Sequence, residues 1–374
     1  MQGAAGGFSL TWIAKSFLAM LLVWQLVLPA PAQQVPASSG TARQQPESAG
    51  EAVKKGEYFF RHQRWNESAD WLSKAYSLTG ESEKIGYELA YARLQAGNLQ
   101  SAKQLLQSMS QRSDTARVHS LLGAVEEQEK NYSDAAHEYY RAAEIDPSES
   151  NLFDLANLLL QHKQYVGYLP ESVKFFRYGV SKYPKSAKLR VGLGVALYAS
   201  DDYDEAVSVL CQAVDLAPND PRPLTFLGMA RKVSPELAKQ VDSRLKDFAQ
   251  RYPKNAAASY EYALSLWERG GGELGQHLAQ IETLLRQAIA SAPQWYEPHY
   301  QLGLVYESEK RYREAIQEMR KASTLEPAFG PAHFRLAVLY KRVGDGAHAA
   351  QESALARRLN NAEIKDSMLQ EAGK

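Results

Sequence analysis

The sequence predicts an all-α solenoid of stacked helical hairpins, and three observations carry that reading. Prolines close helix-like segments at Pro147, Pro184, Pro218, Pro253, Pro293 and Pro327, at separations of 37, 34, 35, 40 and 34 residues. Ahead of these prolines one pattern of small and apolar residues recurs. It reads Leu122-Gly123, Ala135, Tyr139, Ala142, then Leu193-Gly194, Leu197, Ala206, Leu210, Ala213, then Leu302-Gly303, Tyr306, Ala315, Met319, Ala322. The stretch Leu302 to Met319 returns thirty-four residues later as Leu336 to Ser353, with few letters shared but the same residue character in each slot. A catalytic site has no reason to recur with a fixed period, whereas a helical packing unit does.

In chain order, Met1 to Ala32 comes first, with one positive charge at Lys15, an apolar run from Phe17 to Leu28 and a small-residue exit at Ala30-Pro31-Ala32. That is the layout of a secretory signal peptide, and the run is shorter than the roughly 20 residues that span a bilayer. Cleavage after Ala32 is expected, with an uncleaved N-terminal anchor as the alternative. In either case the remainder is exported, to the periplasm or cell envelope of a Gram-negative cell or, in a eukaryote, to the outside. Gln33 to Gly50 is rich in Gln, Ser, Pro, Ala and Gly and predicts a disordered linker.

The repeats run over 51–361, about nine of them. Gly56, Phe59, Ser68, Leu72 and Ala75 mark the first, and Leu89, Ala90, Ala102, Leu106 and Met109 the second. Gly or Ala after the first-helix Leu lets the second helix approach closely, and the terminal proline stops that helix. Three units depart from the pattern. The unit ending at Pro184 carries extra residues around "QYVGYLPES", the one ending at Pro293 around "RGGGELGQHLAQ", and the one ending at Pro253 has Val241 and Phe248 where small residues belong. The last unit is Leu336, Ala337, Tyr340, Ala349 and Ala356. After it, 362–374 predicts a short capping helix with Ile364, Met368 and Leu369 on one face.

This pattern resembles the tetratricopeptide repeat family. The resemblance implies a right-handed superhelix of helix-turn-helix units, with first helices lining a concave groove in which ligands lie.

Composition narrows function further. Over 374 residues, 43 Lys and Arg balance 43 Asp and Glu, so no basic surplus is offered to nucleic acid. A single cysteine, Cys211, excludes an intrachain disulfide and any metal site built on two thiolates. His119, His299 and His333 share one slot three residues before the first-helix Leu, which reads as packing, and the other histidines have no partner at ligand spacing. Gly270-Gly271-Gly272 lacks a following Lys-Ser/Thr and reads as a connector; Asp201-Asp202 reads as a solvated turn. No cofactor, metal or catalytic constellation is expected, and the chain reads as non-catalytic.

The groove face follows from the repeat frame, taking first-helix residues one turn apart that the packing slots leave unused. It comprises Tyr87 and Tyr91; Phe153 and Asn157; Val191, Val195 and Tyr198; Met229; Tyr260, Leu264 and Trp267; Tyr300, Leu304 and Glu307; and Phe334, Val338, Lys341 and Arg342. The stripe is apolar and rich in tyrosine, the composition of interaction hot spots. Packing between neighbouring first helices is the alternative role for these side chains. Phe153 stands where a family carboxylate clamp places lysine, which argues against such a clamp. The expected partner is a protein or peptide segment, with any membrane proximity arising through envelope complexes or the N-terminal segment. A glycan-handling accessory subunit of a polysaccharide secretion complex is the alternative.

Overall fold

A computed structural model describes residues 48–162, 169–269 and 274–372. The expected signal peptide, most of the linker and the Gly270-Gly271-Gly272 connector lie outside the described residues. Among those described, eighteen helices form nine antiparallel pairs and no strand occurs. The all-α repeat architecture expected from the sequence is therefore the one observed.

The chain divides into two compact units, one through Ser172 and one from Val173. The first holds α1 (Ala49–Arg61), α2 (Trp65–Leu78), α3 (Glu83–Gln95), α4 (Leu99–Arg112), α5 (Ala116–Gln128), α6 (Tyr132–Ile145) and α7 (Glu149–Gln161). The division falls inside α8 (Leu169–Lys182). The second unit continues with α9 (Ala187–Ala199), α10 (Tyr203–Leu216), α11 (Arg222–Ala230), α12 (Pro235–Arg251) and α13 (Ala256–Arg269). It ends with α14 (Leu274–Ser291), α15 (Tyr296–Ser308), α16 (Tyr312–Leu325), α17 (Gly330–Arg342) and α18 (Gly346–Ala372).

Four hairpins are locked by a glycine on the first helix facing a large residue sixteen positions later. A methyl group added at Gly56 would lie 2.7 Å from Leu72, at Gly123 2.8 Å from Tyr139, at Gly194 2.6 Å from Leu210 and at Gly303 2.9 Å from Met319. Leu72, Leu210 and Met319 are completely buried, so these slots have no room to give. Overpacking of this kind costs about 1–3 kcal/mol. The closing prolines behave as expected, each standing two residues beyond the last residue of its second helix, as Pro218 does after α10 and Pro327 after α16.

The turn inside the hairpin is equally regular. After α15, Lys310 takes a left-handed φ of 61°, the Lys310 amide donates to Glu307 and the Arg311 amide donates to Tyr306. This paired bond closes a helix C-terminus while satisfying two carbonyls that have no intrahelical donor. Gln63, Gly97, Lys130, Asp201 and Gly344 occupy the same position with positive φ and the same bonding.

One expectation needs correction. The residues over 362–374 do not form a separate capping helix, because α18 runs unbroken from Gly346 to Ala372. No proline or glycine interrupts it before Gly373. The unit ending at Pro253 departs from the pattern as read from the sequence: Val241 and Phe248 are fully buried, and its first helix, α11, is only 9 residues long. A first helix that stops early leaves space that larger second-helix side chains fill.

Candidate functional site

Three first helices of the second unit, α13, α15 and α17, carry a stripe of residues at i, i+4 and i+7 that the packing slots do not use. On α13 these are Tyr260, Leu264 and Trp267, all half-buried; on α15, Tyr300, Leu304 and Glu307, also half-buried. On α17, Val338 is half-buried while Phe334 and Lys341 are exposed, Phe334 at 59%. Tyr198 on α9 and Met229 on α11 are half-buried at the corresponding faces.

Aromatic partners of these residues come from positions the repeat pattern does not mark. Trp295, the residue before α15, meets Tyr260 with its ring tilted by 57° and centroids 4.6 Å apart. Phe329, the residue before α17, meets Tyr300 edge-on at 5.0 Å and Tyr296 at 4.9 Å. Tyr203 meets Tyr198 edge-on at 5.2 Å. The signal that finds Trp295 and Phe329 is short: an aromatic residue two places after the closing proline, in Pro293-Gln294-Trp295 and Pro327-Ala328-Phe329. Such pairs add about 0.5–1.5 kcal/mol beyond their buried area.

Charge at this face is mostly paired. Glu307 lies between Arg335 and Arg342 at 3.7 and 3.6 Å. Beside Trp267, Arg231 is buried and donates to Asp242 at 2.9 Å, to Glu268 and to the Ser265 carbonyl at 3.2 Å, while Arg269 reaches Asp242 at 2.8 Å. This network occupies the place vacated by the short α11. Burial raises the carboxyl of Glu297 and pushes that of Glu261 up to about 8. Burial also raises the phenols of Tyr260 and Tyr300.

In the first unit, Tyr91 sits in a cluster with Phe60 and Trp65, at centroid distances of 5.5 and 5.9 Å. Tyr87 lies under the Arg117 guanidinium at 5.2 Å. Phe153 is half-buried, and Asn157 accepts a bond from Gln161 at 3.0 Å. One assignment is corrected outright: Val191 and Val195 are 2% and 5% exposed, so they belong to the core and offer no ligand surface. Gly192 and Gly194 flank them, and the second helices close in on that side.

The three histidines of the shared slot do more than fill space. His119, His299 and His333 each place Nδ1 2.6 Å from a glutamate nineteen residues on: Glu138, Glu318 and Glu352. The sequence shows the spacing, but only the hairpin brings its ends together. Among the described residues, no group of three His, Cys, Asp or Glu is placed to hold a metal ion. None of the described helices is long and apolar enough to cross a membrane.

The same segments match family models described as tetratricopeptide repeat, one over residues 87–150 and 168–221 and another over 296–329. Those segments are tetratricopeptide repeats. Solved structures similar to the chain include the C-terminal part of a TPR repeat-containing protein from Cytophaga hutchinsonii, at 13% identity and TM-score 0.48, over 75% of this chain and 97% of that one. A tetratricopeptide repeat protein from Parabacteroides merdae is similar at 11% identity and TM-score 0.44, over 78% and 98%. MamA is similar at 22% identity and TM-score 0.38, over 46% and 97%. No curated protein sequence matches the chain.

Proposed function

We propose that this tetratricopeptide-repeat chain is an exported, non-catalytic scaffold of the cell envelope that holds a protein or peptide segment against the aromatic first-helix face of its second unit. The observation that carries the reading is the run of rings on successive first helices, Tyr260 with Trp295, Trp267, then Tyr296 and Tyr300 with Phe329, and the exposed Phe334 beyond. Half-buried aromatics held by one another present large contact area at low entropic cost on binding. Export is supported by the charge, apolar run and small-residue exit at the N-terminus.

The test is crosslinked capture from envelope extracts by the wild-type chain and by a Tyr260→Ala, Trp267→Ala, Tyr300→Ala variant. Capture is expected to fall at least tenfold while far-ultraviolet helicity is unchanged. A Phe334→Ala variant, at an exposed position, checks the same face without touching the core. Undiminished capture by both variants overturns the proposal. Tryptophan-fluorescence titration with envelope oligosaccharides distinguishes the glycan alternative, which predicts saturable quenching that Trp267→Ala removes.

A further inference from the structure

The three equivalent histidines differ at their second ring nitrogen. His119 Nε2 lies 2.7 Å from Asp114 Oδ1, and His333 Nε2 donates to the Pro327 carbonyl at 3.1 Å. His299 has its Nδ1 on Glu318 like the others, yet among the described residues no acceptor or donor meets its Nε2. Its side chain is only 5% exposed. In place of a partner, this ring borders an open cleft of about 660 Å³.

The cavity lies between second helices α14 and α16, away from the first-helix aromatic face. Ile289, Pro293 and Leu325 supply its apolar lining. Arg320 and Lys321 enter from α16, on the same helical stripe as Gln317 and Thr324. Lys321 is held 3.0 Å from Glu318, which His299 also binds. Arg320 is exposed and, among the described residues, pairs with no carboxylate. The site therefore combines a guanidinium without a counter-ion, a buried imidazole edge without a partner, and apolar walls.

We propose that this cavity binds a small organic acid, its carboxylate on Arg320 and His299 Nε2 and its apolar body against Ile289, Pro293 and Leu325. Arg and carboxylate form a paired, charge-assisted contact, and with Nδ1 donating to Glu318, Nε2 donates to the same ligand carboxylate when the ring is an imidazolium carrying both protons. In the His333 hairpin the Pro327 carbonyl fills this position from within the chain; here the ligand's oxygen supplies the acceptor.

Octanoate is the probe, titrated by calorimetry into the full chain, with octanol as the uncharged control. Histidine ring nitrogen resonances are followed in the same samples. Octanoate is expected to bind saturably, to shift the His299 resonances and to leave those of His333 unchanged. Arg320→Ala, at an exposed position, is expected to weaken octanoate at least tenfold, and octanol to bind at least tenfold more weakly than octanoate. The proposal is overturned if octanoate does not saturate, if octanol binds as tightly, or if Arg320→Ala leaves affinity unchanged. It is equally overturned if the His333 resonances move as much as those of His299. The aromatic-face triple variant is expected to bind octanoate normally, so failure of one proposal does not entail failure of the other.

Discussion

Lys310 holds a φ of 61° at the turn position that Gly344 fills, thirty-four residues later, with a φ of 83°. The left-handed region costs a side-chain-bearing residue of order 1 kcal/mol and costs glycine little. Glycine is also more flexible when unfolded, which takes back part of that gain. Lys310→Gly is therefore expected to stabilise the chain by about 0.5 kcal/mol, read as an increased urea midpoint with unchanged m-value. A lower midpoint would show that the lysine side chain contributes more than its backbone conformation costs. The turn was legible in part: Asp201-Asp202 read as a turn and Gly97 and Gly344 suit one, while Gln63 and Lys130 do not announce it, because paired backbone bonds impose the conformation whatever the side chain. Val195 shows the reverse limit. Its place on the helical wheel suits a groove, but it is 5% exposed and belongs to the core.

Helix α13 carries a carboxyl with no charge partner close enough to hold it ionised. Glu261 packs its side chain against Gly228 of α11, and burial raises its affinity for a proton to about 8, from an ordinary value near 4.5. Between those values the folded chain keeps a proton that the unfolded chain has released, so stability falls as pH rises through the window and levels off above it. Glu261→Gln removes that slope. It is expected to stabilise the protein relative to wild type at pH 8, on the order of a few kcal/mol, with little difference at pH 4.5. Urea unfolding at the two pH values measures both, and parallel curves would refute the assignment. No repeat pattern marks Glu261 or the Arg231 network, since both arise where α11 stops early. The first-helix stripe was readable because its spacing follows the helix period. Trp295 and Phe329 were not, because they stand before their helices rather than on them.

At the scale of the molecule, stability in such a chain is a sum of hairpin and neighbour terms rather than the property of one centre. Among the described residues, α1 and α2 have a hairpin neighbour on one side only in the first unit, as α17 and α18 do in the second, whereas in the second unit α9 and α10 stand between α8 and α11. Native-state hydrogen exchange is expected to be at least tenfold faster in α1, α2 and α17 than in α9 and α10. Uniform protection would instead point to all-or-none unfolding. The nine-pair architecture was legible from proline spacing and small-residue slots, since both are local rules repeated often enough to outvote their exceptions. Those rules have a consequence for length. Gly56, Gly123, Gly194 and Gly303 each meet a large residue sixteen positions on, and the turns at Gln63 and Gly97, like those at Lys310 and Gly344, stand thirty-four residues apart. Excising or duplicating a segment of that size joins surfaces already made to match, so such a chain can change its number of modules by recombination without inventing a new junction.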